Sequence, residues 1–92
     1  MTLSPKQRQQ LKAKAHKLNP VVMLGNQGLT AAVNKEIDRA LNDHELIKIK
    51  IVGDDREARK AVVVAICEAQ KAELVQQIGK IVVIYRSEPR DA

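Results

Sequence analysis

Residues 19–30 read NPVVMLGNQGLT, a segment in which a short apolar run passes directly into a loop framed by two glycines. Asn19-Pro20 ends the preceding segment, because the residue before a proline avoids helical backbone angles. The apolar run at 21–24 predicts a short strand, and Thr30 begins a helix that extends to about Asp43. A strand followed by a loop, a helix and a further strand predicts a crossover connection between parallel strands.

Gly25 and Gly28 are two of only four glycines in the chain. Glycine adopts left-handed backbone angles and lets another backbone come close, so two interpretations are open. The loop is either a tight turn or a place where backbone N–H groups meet a phosphate near a helix amino terminus. KH domains use a GxxG loop in the second way, to hold a stretch of nucleic-acid backbone.

The segment ELIKIKIV at 45–52 alternates between apolar and basic residues. This pattern predicts a strand that buries Ile47, Ile49 and Ile51 and exposes Lys48 and Lys50. Two further strands, at 73–78 and 80–86, are separated by Gly79 and predict a hairpin.

Two more helices are predicted at 4–18 and 55–72. Ser4 caps the first, whose apolar face is Leu11, Ala15 and Leu18. Asp54 is expected to cap the other, with Glu57 at capping-box spacing. Its predicted inner face consists of Ala58, Val62, Ala65, Ile66 and Ala69. Val63 and Cys67 then lie on its back, which suggests the basic first helix as their neighbour.

The element order is therefore α-β-α-β-α-β-β. We expect one α/β (α+β) domain over residues 1–92, built on a four-stranded mixed sheet with parallel crossover strands and an antiparallel closing hairpin. Because Lys48 and Lys50 are expected to expose one sheet face to solvent, we expect the helices mainly on the other face.

Charge is unevenly distributed along the chain. Residues 1–28 contain five basic and no acidic residues, while the other 11 basic residues are balanced by all 11 acidic ones. The net charge of +5 therefore lies on the segment that leads into the glycine loop, which favours an anionic partner, above all nucleic acid. Tyr85 is the only aromatic residue, which excludes a sheet that stacks bases on paired aromatic side chains.

Catalytic and metal-binding patterns are missing from the sequence. His16, His44 and Cys67 lie on separate elements without the spacing of metal ligands, so we expect no metal site. Cys67 falls among aliphatic residues in mid-helix, where a thiol is normally inert, and as a lone cysteine it cannot form an internal disulfide. The chain has neither a long apolar run nor a signal-peptide pattern. We expect a cytoplasmic, non-enzymatic protein without a cofactor.

Four stretches together resemble the CRM domain (chloroplast RNA splicing and ribosome maturation) family, in its bacterial stand-alone YhbY-type form. They are LSPKQRQQLKAKAH at 3–16, NPVVMLGNQGLT at 19–30, HELIKIKI at 44–51 and IGKIVVIYR at 78–86. The resemblance implies a fold like KH-type units and the C-terminal domain of translation initiation factor three. It also implies RNA binding and association with precursors of the large ribosomal subunit.

By position, the family's RNA-binding loop falls on Gly25, Asn26, Gln27 and Gly28, and its basic neighbourhood on Lys12, Lys14 and Lys17. Because Asn26 and Gln27 are uncharged, the positive charge has to come from the helix. Further candidates, for which a solvated surface charge is an equally good interpretation, are Lys48, Lys50 and Arg86.

We therefore expect a monomer that binds ribosomal RNA and assists assembly of the large subunit, with no membrane and no small-molecule substrate as partner. The main alternative is a protein-interaction module whose basic helix docks on an acidic protein and whose GxxG segment is only a turn. A second alternative is a domain that binds a small anion or a nucleotide.

Overall fold

A computed structural model describes residues 3–25 and 27–87, and this part of the chain forms three helices and four strands. Their order matches the predicted one and confirms the expected fold class. The elements are α1 (Pro5–Ala15), β1 (Val22–Leu24), α2 (Ala31–His44), β2 (Leu46–Ile51), α3 (Arg56–Gln70), β3 (Glu73–Ile78) and β4 (Ile81–Tyr85).

The sheet is mixed and has the strand order β1-β2-β4-β3. β1 runs parallel to β2, with Val22 opposite Ile49 and Leu24 opposite Ile51, and α2 forms the crossover between them. β4 pairs antiparallel with both β2 and β3, so the predicted hairpin closes the sheet with β4 on the inside. The carboxyl ends of the parallel strands β1 and β2 therefore lie at one edge of the sheet.

The larger core lies between one face of the sheet and helices α2 and α3. Ile47, Ile49 and Ile51 alternate into it as predicted, each at most 3% exposed. Helix α2 contributes Ile37 and Leu41. Since burying one such side chain contributes about 1.5–3 kcal/mol, this layer dominates the stability of the fold.

Helix α3 presents a different face to this core from the one predicted. Ala58, Ala65 and Ala69 are exposed, whereas Val63 and Gln70 are buried together with Ile66. The inner face is thus turned by about 90° from the predicted one, at about 100° per residue. Three consecutive valines at 62–64 cover much of the helix circumference, so their periodicity does not identify the buried side.

Helix α1 packs on the opposite face of the sheet. Its Ala15 and Leu11, together with Leu3 before the helix, form a smaller core with Leu46, Val75 and Val83. Two of the three helices therefore share one face, as expected, and α1 covers part of the other. The suggested neighbourhood of α1 with the back of α3 is wrong, because the sheet lies between the two helices.

The helix caps explain where the helices begin. Ser4 forms a capping box with Gln7, and the Thr30 hydroxyl accepts a bond of 3.2 Å from the amide of Val33. The cap of α3 is Asp55 rather than the predicted Asp54, since its Oδ1 accepts from the amides of Glu57 and Ala58. Asp54 instead forms an exposed ion pair with Lys80, 3.4 Å from carboxylate oxygen to Nζ.

Arg86 is a structural residue, which corrects its place among the candidate RNA ligands. Its side chain is only 9% exposed, and Nη2 lies 3.0 Å from the Asp38 carboxylate. Nη2 also donates to the Asn42 side chain at 2.8 Å, and Nη1 donates to both oxygens of Gln70. The guanidinium therefore ties the end of β4 to α2 and α3, and its charge is not presented to a ligand.

We predict that Arg86→Met lowers the free energy of unfolding by about 2–3 kcal/mol. The variant leaves buried acceptors of Gln70 and α2 without their charged donor, while Asp38 stays half-exposed, which limits the loss. Lys80→Met is the control, since it breaks an exposed ion pair and should cause no measurable change. Urea titrations of both variants followed by circular dichroism test this, and an equal loss in the two would contradict it.

Candidate nucleic-acid interface

The GxxG loop, residues 25–28, leaves the carboxyl end of β1 and leads into the amino terminus of α2. The amide of Gly28 donates to the carbonyl oxygen of Gly25 at 3.1 Å, and the amide of Thr30 donates to the carbonyl oxygen of Gly28 at 3.1 Å. Gln27 is exposed in the turn, while Asn26 lies outside the described residues. The turn interpretation is thus correct for the local conformation, but it does not account for both glycines.

The two glycines of the loop differ in what the conformation requires. Gly28 has a φ of +73°, in the left-handed region where a side chain is strained. Gly25 is outside that region, and a Cβ added to it would meet nothing within 4 Å. The left-handed φ therefore requires glycine at position 28 but not at position 25, whose surroundings are open.

A second loop lies beside the GxxG loop at the same edge of the sheet. It connects β2 to α3 through Gly53-Asp54-Asp55, and the two loops share a shallow cavity of about 190 Å³. Arg59 also lines this cavity, and its Nη1 donates to the carbonyl oxygen of Gly53 at 2.6 Å. Its Nε is buried and has no hydrogen-bond partner among the described residues. The edge thus combines two carboxylates with one guanidinium.

Lys50 is the predicted lysine that the sheet register brings nearest to the GxxG loop. It stands opposite Met23 on the face away from α2, and Met23 is 61% exposed. Lys50 is itself exposed. A basic side chain and an open apolar one therefore lie side by side where β1 enters the loop.

Lys14, Lys17 and Lys48 line a separate groove of about 600 Å³, between α1 with its following turn and the start of β2; we call it the α1–β2 groove. Lys48 Nζ donates to the carbonyl oxygen of Leu18 at 3.0 Å, which fixes the turn after α1 onto β2. The fold thus brings Lys48 together with Lys17 and Lys14, which precede it by 31 and 34 residues in the sequence.

Lys12 does not share this groove. It follows Arg8 by one helical turn, and Arg8 Nη1 donates to the carbonyl oxygen of Leu74 on β3, the far side of α1. Residues two apart on a helix do not face the same side, so Lys12 and Lys14 flank α1 on opposite sides. The three lysines predicted as one basic neighbourhood therefore form no single surface.

The α1–β2 groove and the GxxG loop lie at different ends of β2. The groove includes Leu46, whereas the loop follows Leu24, which pairs with Ile51. Five residues of strand separate the two points by about 17 Å, at about 3.3 Å per residue.

Arg59 is a candidate site residue that the sequence patterns did not indicate. Parallel strands end at a common edge, so the first turns of the helices that follow β1 and β2 lie together. Applied to the sequence, that rule would have grouped the basic residues of the first turns of α3 with the GxxG loop.

A family model for the CRS1/YhbY (CRM) domain matches residues 3–86. The chain belongs to this family. The match includes α1, the GxxG loop and β4, which confirms the resemblance seen in the sequence. This CRM domain therefore carries the family's features over nearly its whole length.

Individual relatives agree with this assignment. The CRM domain is 58% identical over 85 residues to a Haemophilus influenzae protein named "RNA-binding protein", covering 92% of this chain and 86% of that one. It is 42% identical over 90 residues to "Probable RNA-binding protein PA4753" of Pseudomonas aeruginosa, covering 98% and 86%. The solution structure of SAV1595 from Staphylococcus aureus superposes with a TM-score of 0.84 at 33% identity, covering 99% and 95%.

Cys67 is partly buried in α3 of this CRM domain. Burial, and to a smaller extent the nearby Glu73 carboxylate, raises the pKa of the Cys67 thiol, which favours the unreactive protonated form. Within residues 3–25 and 27–87, no three His, Cys, Asp or Glu side chains are grouped in a way that could hold a metal ion. None of the helices in those ranges is both long and apolar enough to span a bilayer.

Proposed function

We propose that this CRM domain binds RNA, with the GxxG loop against the RNA backbone, and that it assists assembly of the large ribosomal subunit. The observation that carries the proposal is Gly25, a glycine without a left-handed φ. A Cβ there would meet nothing within 4 Å, so the bare backbone is open to a partner that approaches from outside. The relatives' names, "RNA-binding protein" and "Probable RNA-binding protein PA4753", support RNA as that partner.

The charges around the GxxG loop attract a phosphate only weakly, so they fit close contact with the RNA backbone better than binding by charge alone. The amino terminus of α2 and the cations of Lys50 and Arg59 attract a phosphate. Asp54 and Asp55 oppose it, but Asp54 is paired with Lys80 and Asp55 already accepts two amide hydrogen bonds. Two exposed charges 4 Å apart are worth only about 1 kcal/mol in water. Close approach of the backbone therefore has to supply part of the affinity.

The ribosomal part of the proposal rests on membership of the CRM family. Resemblance to the family implies association with precursors of the large subunit, and a small basic domain suits a role as an assembly factor. The alternative, a protein-interaction module in which the GxxG segment is only a turn, makes a different prediction for Gly25, which the next experiment uses.

We predict that Gly25→Ala and Gly28→Ala have opposite effects on stability. Gly25→Ala should raise the free energy of unfolding by about 0.5 kcal/mol, because it restricts the unfolded chain at a compatible φ. Gly28→Ala should lower it by about 1 kcal/mol, because its φ is left-handed. Only the RNA proposal expects the more stable Gly25→Ala variant to bind single-stranded RNA about tenfold more weakly, equivalent to about 1.4 kcal/mol.

Thermal denaturation and fluorescence anisotropy with a labelled single-stranded RNA measure both effects. A Gly25→Ala protein that binds RNA as tightly as the unchanged protein would support the turn-only alternative.

The assembly role predicts that the protein sediments with precursors of the large subunit, and that a charge in the loop releases it. Gln27→Glu keeps the shape of the side chain and places a carboxylate where a phosphate should lie, so cosedimentation should be lost. Ala69→Glu is the matched control, since it adds the same charge at an exposed position of α3 about 20 Å along the helix from Arg56. Sucrose-gradient fractions of cells that produce tagged variants test this; equal cosedimentation of the two variants would refute it.

A further inference from the structure

The α1–β2 groove contains the only aromatic side chain of the protein. Tyr85 lies partly buried in its wall next to Leu11 and Leu46, and it also lines a smaller neighbouring groove together with Leu11 and Lys14. The groove volume of about 600 Å³ lies within the range of small-ligand sites, about 300–1,000 Å³. An apolar wall with one ring and a charged rim matches an amphipathic ligand rather than a bare anion.

We propose that the α1–β2 groove receives one unpaired nucleotide of the bound RNA, with its base against Tyr85 and its phosphate at Lys14 and Lys17. The proposal rests on RNA binding as proposed above and adds a second site, separate from the GxxG loop. Every base can stack on an aromatic ring, so a single tyrosine can hold a nucleotide without selecting the RNA sequence.

The charges around the groove determine the orientation of a bound nucleotide. Lys14 and Lys17 are exposed and both line the groove, and the amide of Lys17 donates to the carbonyl oxygen of Lys14, which keeps the two residues close together. Glu45 and His44 line the side formed by the end of α2, and Lys48 is already bonded to the Leu18 carbonyl oxygen. The Glu45 carboxylate repels a phosphate but accepts hydrogen bonds from base amino groups. A nucleotide therefore fits with its phosphate toward the two free lysines and its base edge toward Glu45.

These features favour RNA over an acidic peptide. A peptide carboxylate would gain from Lys14 and Lys17, but an acidic side chain has no aromatic ring to stack on Tyr85, and Glu45 would repel any second carboxylate. The loop and the groove are about 17 Å apart along β2, so one short single strand can contact both.

The direct test uses the single tyrosine as a reporter. Protein labelled with ¹³C on tyrosine rings gives signals from Tyr85 alone, and unlabelled RNA is invisible in the ¹³C-edited spectrum. A 12-nucleotide single-stranded RNA of random sequence, added at low salt, should shift the Tyr85 ring protons upfield through the ring current of a stacked base. A duplex RNA of the same length, which offers no unpaired base in its interior, should shift them much less.

The outcomes separate this proposal from the function on which it rests. If anisotropy shows that the 12-nucleotide RNA binds while the Tyr85 signals stay in place, the groove proposal is overturned and RNA binding stands. If neither single-stranded nor duplex RNA binds, both proposals fail. An acidic peptide that shifts the Tyr85 signals while RNA does not would reassign the groove to a protein partner.

Substitutions in the groove measure how much its contacts contribute to RNA affinity. Tyr85→Leu keeps an apolar side chain in the smaller core and should weaken binding of the single-stranded RNA about 5- to 150-fold, the range for loss of one stacked base. Tyr85→Phe retains the ring and should bind nearly as the unchanged protein does. Lys14→Gln should weaken binding more than Lys12→Gln, which removes the same charge from the other flank of α1. Equal binding by the Leu and Phe variants would contradict a stacked base.

Discussion

The parallel pairing of β1 with β2 is the constraint on which the rest of this CRM domain depends. β1 has only three residues, yet Val22 and Leu24 are almost fully buried and are held in register opposite Ile49 and Ile51. The pairing extends beyond the strand at both ends, where the amide of Val21 donates to Lys48 and the amide of Val52 donates to Leu24. One end of this short strand therefore positions the turn after α1, and the other end positions the GxxG loop.

Both candidate RNA contacts follow from that pairing. The loop and the amino terminus of α3 come together because parallel strands end at one edge. The α1–β2 groove forms at the other end, because the turn that precedes β1 has to pass over the first residues of β2. A change that shifts the register of β1 by one residue would exchange its buried and exposed side chains and move both sites at once.

Much of the fold could be read from the sequence because its periodic signals are strong. The alternation of isoleucine and lysine in β2 predicts its two faces, and the hairpin follows from two apolar runs on either side of Gly79. The inner face of α3 could not be read, since valine occupies three consecutive positions and local pattern alone does not say which one meets the sheet. The predicted cap of α3 was wrong by one residue, because Asp54 and Asp55 are adjacent and either can cap a helix.

The site was harder to predict because its members come from different elements. Glycine spacing located the GxxG loop, and charge segregation located the lysines of α1. Grouping those lysines as one neighbourhood overlooked their helical spacing, which places Lys12 and Lys14 on opposite sides of the packed face. Arg86 resembled a solvated residue at a strand end; its partners Asp38, Asn42 and Gln70 are distant in sequence and converge only in the folded chain. Arg59 was missed for the same reason.

The backbone amides of the GxxG loop offer the most direct test of the central claim that RNA lies against this loop. In a ¹H–¹⁵N spectrum titrated with single-stranded RNA, the account predicts that the amide signals of Gly25, Gln27 and Gly28 shift strongly and that those of Gly53 and Asp54 across the shared cavity shift with them. The amide of Glu68, on the outer side of α3, should remain in place. Saturable RNA binding that leaves the loop amides unchanged would contradict the account.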